Sequence, residues 1–81
     1  MAKILLSSNL MPYTGGESRV DLDVANVRQL FHALAERFPE LRPHLEQGLA
    51  VAIDGEVYQD ALLQPILGSS EVFLFSKVAG G

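Results

Sequence analysis

The sequence predicts an α+β domain, with one mixed sheet of about five strands and one main helix in the order β-β-α-β-β-β. Three observations carry that prediction. Residues 20–24 alternate apolar and polar, as in a half-buried strand, whereas Val27, Leu30, Phe31, Leu34 and Phe38 recur at the spacing of one helix face. Asp54-Gly55, the favoured centre of a type I′ hairpin, joins two short apolar runs. Glu71-Val72-Phe73-Leu74-Phe75 reads as a last, buried strand. A single amphipathic helix covers one face of such a sheet and leaves the other open.

Composition narrows the function. A chain of 81 residues is one domain, and 48% apolar content with four Phe and two Tyr suffices for a small core. No cysteine is present, so disulfides and thiolate metal sites are excluded, and sulfur chemistry would need sulfur from elsewhere. A net charge of -4 disfavours nucleic acid, whose phosphates require a basic face. No apolar run reaches spanning length, and the start, broken by Ser7-Ser8-Asn9, is too short for a signal peptide. The expectation is a cytoplasmic protein with neither membrane nor nucleic acid as partner.

Residues 3–8 read as the first strand, aliphatic on both faces and therefore central. Residues 9–18, with Pro12, Gly15 and Gly16, read as a connection. Gly15-Gly16 is a turn rather than a phosphate loop, because no Lys-Ser/Thr follows. Residues 17–24 form the second strand, with Val20, Leu22 and Val24 inward and Arg19, Asp21 and Asp23 outward. The two aspartates lie on a solvated face and lack the pocket that acid–base catalysis needs.

Asn26 caps the helix and Gln29 stands three residues on, the spacing of a capping box. Pro39 stops the helix, and Leu41 and Leu45 suggest one further irregular turn before Gly48. His32 and His44 have no second ligand at metal-binding spacing and read as isolated, solvated histidines. Residues 49–53 and 56–58 are the hairpin strands. Residues 60–70, with Pro65 and Gly68, connect them to the last strand, with room for a short helical turn at 62–63 or 65–67. The first and last strands are the most apolar and should be neighbours in the sheet centre.

In the last strand Val72 and Leu74 point one way, Phe73 and Phe75 the other. If the aliphatic pair meets the helix, two aromatic residues are left on the open face, and exposed apolar patches on small proteins mark interaction sites. The inverse parity would make the phenylalanines core. Phe73, Phe75 and Lys77 are the candidate partner-binding residues. Beyond them the domain, residues 1–77, gives way to a tail at 78–81, Val78-Ala79-Gly80-Gly81. Glycine lacks a Cβ, so such a tail threads a channel too narrow for other residues, and its α-carboxylate is sterically open. A frayed end is the plain alternative.

The order of elements, the length, the Asp54-Gly55 hairpin and the ending Glu71-Val72-Phe73-Leu74-Phe75 … Val78-Ala79-Gly80-Gly81 resemble the MoaD/ThiS family of ubiquitin-like sulfur carriers, which have the β-grasp fold. Its best-known branch is the small subunit of molybdopterin synthase. Proline often precedes the Val-x-Gly-Gly in that family, whereas Ser76-Lys77 stands here. The thiamin-pathway carriers tend to be shorter, which favours the molybdopterin branch or an unassigned relative.

The resemblance implies a carrier without catalytic residues or a bound cofactor. Gly81 would be adenylated by a ubiquitin-activating-type enzyme that consumes ATP, then converted to a thiocarboxylate by a sulfur donor system. Val78, Ala79, Gly80 and Gly81 would enter the active sites of that enzyme and of the large subunit of molybdopterin synthase. Three alternatives share the fold and the tail: a protein modifier joined to target lysines, a thiamin-pathway-type sulfur carrier, and an interaction module whose glycines are incidental. An independent enzyme fits least, because no nucleophile–base pair or metal cluster can be assembled from these motifs.

Overall fold

A computed structural model describes residues 1–47, 49–58 and 62–76. Five strands form one sheet: β1 (Ala2–Leu6), β2 (Arg19–Leu22), β3 (Leu49–Ile53), β4 (Glu56–Tyr58) and β5 (Glu71–Ser76). Their order is β2-β1-β5-β3-β4. β1 and β5 are parallel, with Ile4 opposite Val72 and Leu6 opposite Leu74, and all other neighbours are antiparallel. The fold is the β-grasp expected from the sequence, and its most apolar strands are adjacent at its centre.

The main helix, α1 (Val27–Arg37), packs on one face of the sheet. Val27, Leu30, Leu34 and Phe38 are buried there against Ile4, Leu6, Val20, Val51, Val72 and Leu74. Each such aliphatic side chain contributes about 1.5–3 kcal/mol by leaving water. A 3-10 turn (Pro39–Leu41) and a short helix, α2 (Arg42–Gln47), follow, and Leu41 and Leu45 close the core from that side. The proline stop and the extra turn are therefore both present.

The start of α1 is fully tied down. Asn26 Oδ1 accepts the Gln29 N–H at 2.8 Å, and Gln29 Oε1 accepts the Ala25 N–H at 2.9 Å, so the box reaches one residue further back than the usual arrangement. The Val27 N–H donates to the Gln64 carbonyl at 3.1 Å and the Arg28 N–H to the Leu62 carbonyl at 2.8 Å. The connection before β5 thus caps the helix. It does so in extended form, bridging Asn26 and Pro65, which leaves no helical turn at 65–67 and only a simple turn at 62–63.

Other boundaries shift for local reasons. β1 ends at Leu6, because a 3-10 segment (Ser8–Tyr13) opens immediately and drives Leu10 into the core. β2 is confined to Arg19–Leu22, because the Thr14 hydroxyl lies 2.8 Å from the Glu17 carbonyl and holds that residue in the turn. Gly15 and Gly16 take φ of +68° and +90°, as the turn reading requires. At the hairpin Asp54 and Gly55 have φ of +50° and +92°, both positive as in type I′. His44 packs against Tyr13, with ring centroids 4.1 Å apart. His32 is exposed and, contrary to expectation, has a carboxylate one helical turn away: Glu36 lies 3.7 Å from it.

Candidate docking face

β5 presents its two sides to different surroundings. Val72 and Leu74 are completely buried under α1, whereas Phe73, 39% exposed, and the half-buried Phe75 stand on the face that no helix covers. The parity expected from the sequence is the observed one. The two rings stack on each other, with centroids 5.6 Å apart and planes inclined by 27°.

Sheet register assembles the rest of this face. Phe73 is opposite Leu5 on β1 and Ala52 on β3; Leu5 is opposite Arg19, and Ala52 is opposite Val57. One row therefore crosses the sheet as Arg19, Leu5, Phe73, Ala52 and Val57, apolar after its first member. Ala50, opposite Phe75, is also small, and the two alanines leave room for the rings to lie along the sheet. Val57 is 59% exposed. The adjoining row runs Asp21, Lys3 and Glu71, and the Arg19 guanidinium sits 3.6 Å from the Asp21 carboxylate.

The result is an apolar strip bordered on one side by charges of both signs. The composition is that of a candidate docking surface: an aromatic centre from which a partner would exclude water, and a charged border that would set orientation without holding tightly. Leu5 and Val57 were not singled out from sequence; the Asp54-Gly55 hairpin could have paired Val57 with Ala52, but not placed that pair beside Phe73. Lys77, the domain limit at 77/78 and the tail residues Val78, Ala79, Gly80 and Gly81 lie outside the described residues. Among the described residues no group of His, Cys, Asp and Glu could hold a metal ion, and no helix is long and apolar enough to cross a membrane.

Comparison with known proteins agrees with this fold. The family model described as the ThiS family matches residues 4–81. No curated protein sequence matches the chain significantly. Several solved structures are similar along nearly their whole length. A chain in the crystal structure of the Amycolatopsis orientalis BexX/CysO complex superposes with a TM-score of 0.81 at 19% identity, covering 100% of both chains. SAMP1 from Haloferax volcanii has a TM-score of 0.71 at 26% identity, covering 99% of this chain and 98% of its own. A Pyrococcus furiosus protein provisionally named molybdopterin converting factor, subunit 1, has a TM-score of 0.72 at 17% identity, covering 95% and 97%.

Proposed function

The chain belongs to the ThiS family, and from that premise we propose that it carries sulfur on its C-terminal glycine as the small subunit of molybdopterin synthase. It is a carrier of the ThiS/MoaD kind or a modifier of the SAMP kind, in either case a substrate of an activating enzyme rather than a catalyst. In the proposed cycle the Gly81 carboxylate attacks the α-phosphorus of ATP on a ubiquitin-activating-type enzyme, and pyrophosphate leaves. A hydrosulfide equivalent from a donor system then adds to the acyl carbon of the adenylate and expels AMP. The thiocarboxylate is delivered to the large synthase subunit.

The observation that best supports this reading is the stacked Phe73–Phe75 pair on the strand that leads into Val78-Ala79-Gly80-Gly81. A carrier visits at least two partners and must leave each, so it needs a reversible docking face at the root of its reactive segment. The five residues beyond β5 can span at most roughly 18 Å, so the partner's reacting centre must lie within that distance of the docked face. Small side chains at 79–81 suit entry into a narrow channel.

The test is the intact mass of the protein after incubation with its activating enzyme, ATP and a sulfur donor. A species heavier by the exchange of one oxygen for sulfur, absent when Gly81 is deleted, is the expected result; an unmodified mass in the complete mixture refutes sulfur carriage. The modifier reading has one observation in its favour, the 26% identity to SAMP1 against 17% to the Pyrococcus protein. It predicts isopeptide-linked adducts on lysines of other proteins in cell extracts.

A further inference from the structure

The side of the domain remote from Phe73 carries two open clefts along α1. One, of about 450 Å³, is lined by Asn26, Arg28, Gln29, His32 and Leu63. The other, of about 560 Å³, shares Arg28 and His32 and adds the apolar surfaces of Phe31, Ala35, Leu45 and Leu62.

The first cleft is rich in hydrogen-bond donors. The side-chain oxygens of Asn26 and Gln29 each already accept one backbone N–H, at 2.8 and 2.9 Å, whereas their NH2 groups donate to no partner among the described residues. Arg28 supplies a guanidinium and has no carboxylate at ion-pair distance among the described residues. None of the described lining residues is acidic, although the chain has ten Asp and Glu and a net charge of -4. The helix terminus itself is not the attraction, because the N–H groups of Val27, Arg28 and Gln29 are already bonded.

Alongside the donors stand Leu63, 78% exposed, and Leu62, 47% exposed. An inorganic anion would make no use of them. A polypeptide with carboxylates followed by bulky apolar side chains would, laying its acids on Arg28 and the amide groups and its apolar residues on Leu63, Leu62 and Phe31. In the second cleft Arg28 and Arg42 are balanced by Glu36 and Glu46, so it offers carboxylates no net attraction and the acidic part belongs in the first.

We propose that these two clefts bind an acidic-then-apolar segment of a second protein, on the helix side of the domain and therefore compatible with simultaneous occupation of the sheet face. The site stands whether or not Gly81 carries sulfur.

The test is a titration of isotopically labelled full-length protein with the capped peptide Glu-Asp-Glu-Leu-Leu-Leu, followed by backbone amide resonances. Saturable shifts at residues 26–32 and 62–64 are expected. Affinity should fall at least tenfold for the control peptide with Gln and Asn replacing the acids, and at least tenfold in Arg28→Glu and in Leu63→Asp. Both substituted residues are exposed, and preserved amide dispersion verifies folding. Arg37→Glu, the same charge change outside both clefts, should leave affinity within twofold. Absence of saturable shifts, shifts confined to the sheet face, or equal binding of the uncharged peptide overturns the proposal. Displacement of the peptide by inorganic phosphate with the same pattern of shifts also overturns it, in favour of a small-anion site.

Discussion

Asp54 and Glu71 are joined twice across the sheet: the Asp54 N–H donates to the Glu71 carbonyl at 2.9 Å, and the Glu71 N–H donates to Asp54 Oδ1 at 3.0 Å. The β3–β4 turn thereby fixes where β5 begins. Asp54 does this from the left-handed region, at φ +50°, where Asp and Asn are tolerated better than residues without a short polar side chain.

Asp54→Ala should destabilise the domain by about 1.5–3 kcal/mol, combining a lost side-chain bond with left-handed strain. Asp54→Asn keeps an acceptor oxygen and the conformational tolerance and should cost less than about 0.5 kcal/mol. Urea denaturation of the pair checks this; equal losses in both would mean that the carboxylate charge, not its geometry, matters.

Adjacent residues on β5 should behave oppositely. Leu74→Ala empties a completely buried position and should cost about 2–5 kcal/mol. Phe75→Ala, on the open face, should cost less than about 2 kcal/mol while weakening binding to the activating enzyme at least tenfold. Equilibrium unfolding and a binding assay on the same samples separate the two effects, and a loss of 3 kcal/mol or more at Phe75 would make it a core residue.

Deletion of Gly81 should abolish thiocarboxylate formation and leave the melting temperature unchanged, since a residue without a side chain buries no apolar side-chain surface. Calorimetry beside mass spectrometry is sufficient. A clear fall in melting temperature would show that the terminus supports the fold.

Asn26→Ala should lower stability by about 0.5–2 kcal/mol through loss of the cap on the Gln29 N–H. Asn26→Asp, which preserves the acceptor, should recover most of it. Thermal unfolding followed by circular dichroism reads both.

The sequence made legible whatever depends on local periodicity or turn chemistry. The opposition of Val72 and Leu74 to Phe73 and Phe75 follows from strand alternation, and the Asp54-Gly55 turn and the Asn26 cap follow from backbone preference. Features that depend on long-range register were not legible. Leu5 and Val57 join Phe73 only because β5 lies between β1 and β3 in one particular alignment. The donor cleft exists because the connection carrying Leu62 and Leu63 folds back over α1. The contact of Tyr13 with His44 joins two irregular helical segments whose approach no local pattern encodes.

The sheet order has a consequence for synthesis. β5 occupies the middle of the sheet, yet it is the last strand to be made. Until it emerges, the chain has only a β1–β2 ladder and a β3–β4 ladder with no strand to unite them. Isolated two-stranded ladders are marginal in water. The nascent chain therefore cannot complete its sheet early, and inserting β5 is what converts two weak hairpins into one domain. The strand that closes the sheet is thus made only after both of the ladders it joins, and the domain is completed in a single late step.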